Sequence, residues 1–287
     1  MKSPLWNRVT IVGCGLIGAS FALALRHNNL AACIAGWDIS DSVLAEALGH
    51  GIIDEADYSF VRGEASNADL IYLALPVNAI VDLFKQHSFA IKAGAVVTDA
   101  GSTKSTISQA ASEYLPRECC FIGGHPIAGS HLSGLKHVSA DLFAGKPYIL
   151  IANETEVSEA FTALSETIAS LDARVVLMTA REHDRAMAFV SHLPQLMSSV
   201  LNVTVKSSAD ASRLLEVAGS GYTDMTRLAL SSWSIWKDIL VTNHFEITLA
   251  LDDFIERLQS VRDELRLLDQ NGAAELPLTR SIFKNTQ

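Results

Sequence analysis

The sequence has few of the features that would direct it to nucleic acid or to a membrane. Its 22 lysines and arginines are outnumbered by 32 aspartates and glutamates, for a formal net charge of −10, and the cations form no basic block. Nucleic-acid binding usually needs such a block, so we expect no nucleic-acid partner. Apart from one glycine-interrupted run near the N-terminus, no stretch has about 20 consecutive apolar residues, so no membrane span is expected.

Cysteine is also scarce, and the histidines are not spaced like metal ligands. The four cysteines include no C-x-x-C pair, and an adjacent pair cannot form an ordinary disulfide without a strained ring. We therefore expect free, mostly buried thiols in a reducing cytoplasm, and no metal site. The residues concerned are Cys14, Cys33, Cys119 and Cys120, with His131, His137, His183 and His244.

Length and composition predict a globular chain of two domains. With 287 residues, 49% of them hydrophobic and 19% charged, the chain can bury two cores and is not typical of disorder. We place the boundary near residue 176, which gives domains 1–176 and 177–287. The first is predicted to be an α/β domain with a Rossmann-type doubly wound parallel sheet, and the second to be all-helical.

Short β-branched runs alternate with helical segments in the first domain, which is typical of a parallel sheet flanked by helices. The predicted strands are Arg8–Val12, Cys33–Trp37, Leu70–Ala74, Ala95–Thr98, Cys119–Ile122, Tyr148–Ile151 and Arg174–Leu177. Helices predicted between them include Leu16–Arg26, Asp41–Ala47, Lys104–Tyr114 and Glu156–Leu171, the last with Thr155 as its N-cap.

Beyond Met178 no strand pattern returns. Thr179 and Glu182 form a capping-box pattern that begins a long helical region. In the closing segment apolar residues recur at spacings of three and four, which predicts a helix with an apolar stripe. Such a stripe needs a partner within the chain or across a homodimer, and we expect the helical domain to form a homodimer. The stripe consists of Leu251, Phe254, Leu258, Val261, Leu265 and Leu268.

The apolar run Val9–Leu25, preceded by Lys2 and Arg8, superficially resembles a signal peptide. Its three glycines favour a different interpretation. Gly13-Cys14-Gly15-Leu16-Ile17-Gly18 is a G-x-G-x-x-G motif between a predicted strand and a predicted helix, which is the setting of a dinucleotide-binding turn.

The positions of this motif have separate physical roles in holding a dinucleotide. Gly13 permits the tight turn, Gly15 lets the backbone approach the pyrophosphate, and Gly18 lets the helix pack closely on the strand. The helix N-terminus at Leu16 and Ile17 offers N–H groups to the phosphates. The alternative is a glycine-rich turn that serves only packing.

Asp38 supports the nucleotide-binding interpretation and indicates which cofactor is used. It ends the next predicted strand, where its carboxylate would accept hydrogen bonds from the adenine ribose and repel a 2′-phosphate. The motif therefore predicts NAD rather than NADP as the cofactor.

Two further strand ends point to the same edge of the sheet. Leu75-Pro76 follows the predicted strand Leu70–Ala74 and is expected beside the cofactor, although a proline that simply begins a helix explains the pattern equally well. Asp99-Ala100-Gly101-Ser102-Thr103-Lys104 ends a strand and begins a helix. Ser102 is suited to be the N-cap of that helix, and its hydroxyl could also bond a substrate oxygen.

The most informative stretch is Gly123-Gly124-His125-Pro126-Ile127-Ala128-Gly129-Ser130. It places an imidazole on a predicted turn of glycine and proline, where the ring would face solvent or a ligand rather than a core. Near a nicotinamide, such a histidine is a candidate base that removes a hydroxyl proton while hydride leaves the carbon.

Taken together, the motifs resemble the prephenate/arogenate (cyclohexadienyl) dehydrogenase family of tyrosine biosynthesis. The likeness spans nearly the whole chain, and the G-x-H-P-x-A-G block is its most specific part. The segments that carry it are Gly13–Gly18, Asp99–Lys104, Gly123–Gly129, Ser133-Gly134, Ser191-His192-Leu193-Pro194, Asp224-Met225-Thr226-Arg227 and Trp236 to Asn243.

The resemblance implies NAD-dependent oxidation and decarboxylation of prephenate to 4-hydroxyphenylpyruvate, with arogenate as the alternative substrate. Neutral His125 would accept the hydroxyl proton, and Ser102 would hydrogen-bond the same hydroxyl. Arg227 would bind a substrate carboxylate through its planar guanidinium. The resemblance also implies that His192 and Gln195 belong to the substrate pocket.

Several alternatives stay open at the level of sequence. Arg227 could be an exposed helix arginine paired with Asp224 or Asp238, and His192 a core histidine. Gln195 stands where many relatives have a histidine, and an amide can accept from an ammonium or donate to a ketone. Prephenate is therefore favoured only slightly over arogenate. A non-catalytic NAD-sensing protein and a dehydrogenase of another small hydroxy acid are the other candidate functions.

Overall fold

A computed structural model of the chain describes residues 3–60, 67–128, 134–152, 158–271 and 276–284. These residues form two compact units. The first comprises Met1–Ala186 and Ser231–Thr242, and the second comprises Met187–Leu230 and Asn243–Gln287. The segment 231–242 thus belongs to the α/β unit rather than to the helical one. The boundary near residue 176 stays a prediction, and Gly129 and Thr155 lie outside the described residues.

The centre of the first unit is a parallel sheet of six strands. They are β1 Trp6–Val12, β2 Ala31–Trp37, β3 Glu55–Asp57, β4 Leu70–Leu73, β5 Val96–Asp99 and β6 Cys120–Ile122. Their order is β3-β2-β1-β4-β5-β6, so the order of strands reverses between β1 and β4. This is the order of a Rossmann fold, and it confirms the predicted doubly wound sheet.

Helices cover both faces of this sheet, because successive side chains of each strand point to opposite faces. On one face Phe21 stacks on Tyr72, with ring centroids 3.8 Å apart. On the other face Phe84 meets Phe121 edge to face at 5.7 Å. The strands are buried on both sides, which is why they are continuous apolar runs rather than alternating ones. The helices between strands are α1 Leu16–His27, α2 Asp41–Gly49, α3 Val77–His87 and α4 Ser105–Tyr114.

The remaining strands form a second, three-stranded sheet and do not extend the first. They are β7 Gly124–Pro126, β8 Pro147–Ile151 and β9 Arg174–Met178, with α5 Glu159–Ser170 connecting the last two. β8 and β9 are parallel, whereas β7 is antiparallel to β8. The sequence pattern predicted β8 and β9 as members of one parallel sheet. It missed β7 and β3, which are too short and too rich in glycine or charge to show alternation.

Local capping explains where several helices begin. The Ser158 hydroxyl accepts the backbone N–H of Phe161 at 3.1 Å, so Ser158 is the N-cap of α5. The predicted capping box is confirmed: Thr179 N–H donates to the Glu182 carboxylate at 2.8 Å, and Glu182 N–H donates to the Thr179 hydroxyl at 3.2 Å. It begins α6 Ala180–Met187.

Beyond α6 the described elements are helical. A single π-helical turn, Ala188–His192, leads into α7 Leu193–Lys206. The apolar stripe of the last long helix is partly exposed, with Leu258 50% and Leu265 48% accessible. Among the described helices, none combines the length and apolar character that a membrane crossing needs. The other helices are α8 Ala211–Glu216, α9 Ser220–Thr226, α10 Trp233–Thr242, α11 His244–Asn271 and α12 Pro277–Lys284.

Candidate functional site

The glycine-rich turn lies between β1 and α1, at the point where the strand order reverses. Gly13 has φ +92°, and a Cβ there would lie 2.4 Å from the Ala74 carbonyl oxygen. A Cβ on Gly18 would lie 2.0 Å from the Gly13 carbonyl oxygen, so only glycine lets α1 approach the strand this closely. A Cβ on Gly15 would meet no atom within 4 Å, because this position faces open space. The first turn of α1, at Leu16 and Ile17, begins directly beside that space.

Asp38 lies at the end of β2 and supports this turn. Its carboxylate accepts the backbone N–H of Cys14 at 2.8 Å and that of Ser40 at 2.9 Å. Each oxygen therefore makes one hydrogen bond to the backbone and keeps a second lone pair. Burial, with the nearby Asp38 charge, raises the pKa of the Cys14 thiol to about 12. Cys14 is therefore a neutral packing residue of the turn.

A cavity of about 240 Å³ lies at the carboxyl ends of β1, β4 and β5 within the first unit. Leu75 and Pro76 contribute to its wall, and Pro76 is also the N-cap residue of α3. The helix-start explanation of this proline is confirmed, and its place beside the cofactor stays a prediction. α10 closes the cavity through Asp238, whose carboxylate accepts from the Asn78 side-chain amide at 2.7 Å. The lining also includes Ile17, Ala74, Ala100, Gly101, Ser102 and Ile239.

Ser102 lines this cavity and is not the N-cap of α4, which corrects the sequence-based assignment. The helix begins at Ser105, and its first N–H groups are capped from a distant part of the chain. The Asp184 carboxylate accepts the backbone N–H of Lys104 at 2.7 Å and that of Ser105 at 2.8 Å. Because Asp184 takes the capping role, the Ser102 hydroxyl is not used for it.

A fully buried ion pair joins residues 100–104 between β5 and α4, the Ser102 loop, to the strand that carries His125. Lys104 Nζ donates to the Asp99 carboxylate and, at 2.7 Å, to the Gly124 carbonyl oxygen. Asp99 in turn accepts the backbone N–H of Gly101 at 2.8 Å and that of Gly124 at 3.1 Å. Burial lowers the pKa of Lys104, and the attraction of Asp99 opposes this shift. The pair fixes the ends of β5 and β7 relative to each other.

His125 lies on a strand and not, as predicted, on a turn. β7 pairs with β8 so that His125 lies opposite Ile149, and its side chain is half-buried. Its Nδ1 lies 2.8 Å from Nε2 of His183, and Nδ1 of His183 lies 2.9 Å from the Asp184 carboxylate. Three side chains from two distant segments therefore form one hydrogen-bonded series.

Burial controls the charge of this series. Desolvation lowers the pKa of His183, and the nearby Lys104 charge adds to that effect, while the hydrogen bond to Asp184 opposes it. Burial alone would raise the pKa of Asp184, but its hydrogen bonds with His183, Ser105 and Lys104 hold that pKa below the ordinary value. At neutral pH the pair is a neutral imidazole beside a carboxylate.

In the second unit, His192 and Gln195 lie at the entrance of α7. The π-helical turn Ala188–His192 accommodates Pro194, which has no N–H to donate to the preceding turn. His192 is buried, and its Nδ1 lies 3.1 Å from the Asn243 amide nitrogen. With that amide donating, the ring carries its proton on Nε2.

The Gln195 side chain is held in one orientation. Its Nε2 donates to the Leu228 carbonyl oxygen at 2.8 Å and to the Ser199 hydroxyl at 3.3 Å. A carbonyl oxygen can only accept, so the nitrogen must face it, and Oε1 is the atom that remains for other partners. Arg227 lies at the end of α9 and is exposed. Within the described part of the second unit it forms no ion pair with Asp224, so that alternative is not observed.

The sequence did not reveal the roles of four polar residues around His125, which are Asp99, Lys104, His183 and Asp184. Asp99 and Lys104 stood out only as part of a motif, and the spacing of His183 indicated no metal. The available signals were a lysine that closes the Asp99–Lys104 motif and a His-Asp pair near the start of a capped helix. They point to a buried polar network without saying which strand it contacts.

The comparisons with known proteins agree with this geometry. The chain matches the family model for the prephenate dehydrogenase nucleotide-binding domain over residues 21–177 and that for the prephenate dehydrogenase dimerization domain over residues 179–279. It is 36% identical to prephenate dehydrogenase from Lactococcus lactis over 264 residues, which cover 91% of this chain and 71% of the relative.

Two solved structures share the fold. Prephenate dehydrogenase from Aquifex aeolicus, in complex with hydroxyphenyl propionate and NAD+, has a TM-score of 0.88 and 28% identity, covering 98% of this chain and 96% of the other. Synechocystis arogenate dehydrogenase has a TM-score of 0.81 and 27% identity, covering 97% of each chain. The chain is thus an oxidoreductase that belongs to the prephenate dehydrogenase family.

Proposed function

We propose that this enzyme catalyses the NAD-dependent oxidative decarboxylation of prephenate to 4-hydroxyphenylpyruvate in tyrosine biosynthesis. Family membership supports the reaction class, and the Lactococcus lactis and Aquifex aeolicus relatives support the substrate class. The observation that carries the proposal is the half-buried His125 imidazole, held by His183 at 2.8 Å on a strand tied to the Ser102 loop.

The residues present fit a bound dinucleotide. Gly13 makes the turn, Gly15 leaves the space in front of α1 open, and Asp38 keeps a lone pair on each oxygen for ribose hydroxyls. The N–H groups at Leu16 and Ile17 would hold the pyrophosphate. When bound, NAD+ supplies the acceptor for hydride from the carbon that bears the substrate hydroxyl.

The chain's own residues orient the substrate and move one proton. We assign Ser102 the role of hydrogen-bonding the substrate hydroxyl and His125 the role of accepting its proton. The proton stays on the imidazole while the ring carboxylate leaves as carbon dioxide, and it returns to oxygen as the ring becomes a phenol. Ser102 lines a cavity whose walls at Ile17, Leu75 and Pro76 are apolar, which supports its contact with the substrate hydroxyl.

In the second unit, we assign substrate-carboxylate binding to Arg227 and a neutral, donating role to His192 Nε2. The exposure of Arg227 supports this assignment, since an accessible guanidinium can bind a substrate carboxylate bidentately.

Arogenate is a second candidate substrate, and the orientation of Gln195 favours it. With both hydrogens of its amide engaged, Gln195 offers only Oε1, which can accept from the ammonium of arogenate but cannot donate to the ketone of prephenate. We therefore propose that the enzyme accepts both substrates.

The test is a comparison of initial rates with prephenate and with arogenate, each with NAD and with NADP, followed at the nicotinamide absorbance band. We expect turnover of both substrates with NAD and much slower turnover with NADP. Gln195→Leu should reduce kcat/KM for arogenate more than for prephenate. A protein that binds NAD but turns over neither substrate would be a sensor, and the proposal would be wrong.

We also propose that the enzyme is a cytoplasmic homodimer. The partly exposed leucines of α11 and the match to a dimerization domain support the dimer, and four free cysteines support a reducing compartment. Analytical ultracentrifugation should give twice the mass of the chain. The double variant Leu258→Asp with Leu265→Asp should shift the measured mass toward that of one chain.

A further inference from the structure

We propose that His183 and Asp184 are positioning residues that fix the tautomer of His125 and so make its Nε2 the basic atom. The inference rests on the proposed function, because it assigns the atom at which the hydroxyl proton is accepted. It concerns three side chains of the first unit whose hydrogen bonds form a continuous series.

The direction of the series follows from the Asp184 carboxylate. One of its oxygens accepts Lys104 N–H and lies 2.9 Å from His183 Nδ1, and the other accepts Ser105 N–H. A carboxylate that already accepts two backbone N–H groups is ionised and has no proton to give. The proton between Asp184 and His183 therefore belongs to His183 Nδ1.

The second ring nitrogen of His183, Nε2, carries no hydrogen. The ring is buried, with a lysine ammonium among its charged neighbours, and both features oppose a second proton on it. A neutral imidazole with hydrogen on Nδ1 has its lone pair on Nε2. Nε2 therefore accepts at 2.8 Å, and the hydrogen of that bond belongs to His125 Nδ1.

This arrangement gives His125 the form that a base requires. With hydrogen on Nδ1, its lone pair is on Nε2, where the substrate hydroxyl proton is received. The imidazolium that results keeps its Nδ1–H bond to His183, and the Asp184 charge behind that ring stabilises the positive charge. A carboxylate that orients a histidine from behind serves the same purpose in serine proteases, where its loss leaves the wrong tautomer.

The backbone gives a reason why Asp184 is well suited to this task. Because the same carboxylate caps α4, its position is fixed by the helix that follows the Ser102 loop. The Lys104 ammonium, in turn, donates to the carbonyl oxygen of Gly124, the residue before His125, at an Nζ to oxygen distance of 2.7 Å. Both ends of the series are thereby fixed to the same short segment.

The decisive measurement is the tautomer of His125 in the full-length protein, read by ¹H–¹⁵N correlation of ¹⁵N-histidine-labelled enzyme and assigned with His125→Asn. We expect hydrogen on Nδ1 and an unprotonated Nε2 at neutral pH. In His183→Leu the equilibrium should move toward hydrogen on Nε2. Hydrogen on Nε2 of His125 in the unmodified protein would overturn the inference.

Kinetics of matched variants separate positioning from folding. His183→Gln can place an amide oxygen near the position of Nε2 and should retain kcat within a few-fold of the unmodified enzyme. His183→Leu should lose at least about tenfold in kcat with little change in KM. The exposed His50→Leu is the control and should change neither. Equal activity of the Gln and Leu variants would contradict the inference.

Asp184→Ala provides an independent test. It removes the acceptor of the His183 Nδ1 hydrogen, so the tautomer of His183 is no longer fixed and the hydrogen of His125 should be shared between Nδ1 and Nε2. Since the variant also removes the cap of α4, the tautomer rather than stability is the measurement that decides, and an unchanged tautomer contradicts the inference. If the unmodified enzyme turns over neither substrate, the proposed function fails, whereas the tautomer can still be read.

Discussion

Asp38 and Asp99 both end strands of the same parallel sheet, yet their surroundings differ completely. Asp38 is half-buried, and its carboxylate accepts hydrogen bonds from two backbone N–H groups. Asp99 is fully buried and pairs with the Lys104 ammonium as well as with the backbone. A carboxylate that keeps lone pairs and partial exposure can bind a ligand, whereas one neutralised by a buried lysine holds the structure together.

The same contrast separates the two regions that these residues support. In the Asp99 region, Asp99, Lys104, His183 and Asp184 form a buried polar network that ends at the half-buried His125. The Asp38 region is an open turn with space before a helix N-terminus. The closed region suits chemistry, which needs fixed geometry, and the open region suits a cofactor that enters and leaves.

Breaking the buried ion pair between Lys104 and Asp99 should destabilise the closed region strongly. Lys104→Met leaves the Asp99 carboxylate buried and uncompensated, so we expect a loss of about 3–5 kcal/mol in the free energy of unfolding. Denaturant titration measures it. Lys92→Met, which breaks a partly exposed pair with Asp69, is the control and should cost less than about 1 kcal/mol. The double variant Asp99→Asn with Lys104→Met should recover part of the loss; no recovery would contradict this explanation.

Removing the proposed base should affect turnover and spare the open region. His125→Asn should reduce kcat by about two orders of magnitude or more, because a general base contributes on that scale. The dissociation constant for NAD, measured by fluorescence titration, should hardly change. His137→Asn, on an exposed turn, is the control. Near-normal turnover of His125→Asn would remove this residue from the mechanism.

Arg227 tests recognition apart from chemistry. Arg227→Ala should raise KM for prephenate by about ten- to a hundredfold, since a bidentate carboxylate contact is lost, while kcat changes less. Steady-state kinetics with the exposed Arg213→Ala as control would show it. An unchanged KM would count against a carboxylate role for Arg227.

Asp38 tests how the open turn recognises the ribose of the cofactor. In Asp38→Asn an amide N–H must face one of the two backbone donors, and the negative charge that repels a 2′-phosphate is gone. We expect the preference for NAD over NADP to narrow by about tenfold, with kcat at saturating NAD within a few-fold. The measurement is the ratio of kcat/KM for NAD to kcat/KM for NADP. The exposed Asp41→Asn is the control. An unaltered ratio would mean that other residues recognise the ribose.

The smallest effect is expected on the way the free energy of unfolding depends on pH. Burial lowers the pKa of His183, so below about pH 6.5 the unfolded chain takes up a proton that the folded chain refuses. The contribution of His183 to the free energy of unfolding is thus fully present above that pH. It is lost as pH decreases, by up to about 1.4 kcal/mol per pH unit. Unfolding free energies of His183→Gln should fall less steeply between pH 6.5 and 5.5, and His50→Gln should behave like the unmodified protein. Parallel curves would exclude His183 as the cause.

Much of the nucleotide-binding half could be predicted because its signals are local. The G-x-G-x-x-G turn, the capping box at Thr179 and the long final helix each follow from residues close in sequence. β7 could not be predicted, since three residues of glycine, histidine and proline carry no alternation, and only pairing with β8 makes them a strand. Ser102 was assigned a cap that Asp184 supplies, because a cap from 80 residues away leaves no local trace.

Periodicity, glycine positions and motif order are properties of neighbouring residues, so they were enough to predict the Rossmann-type domain, the helical domain, the cofactor turn and His125 as the residue to examine. The neutralisation of Asp99 by Lys104 and the orientation of the Gln195 oxygen became evident only from the folded chain. The same is true of His183 and Asp184, which lie behind His125. These depend on burial and on contacts between distant segments, which assign charge and proton position through desolvation and hydrogen bonding.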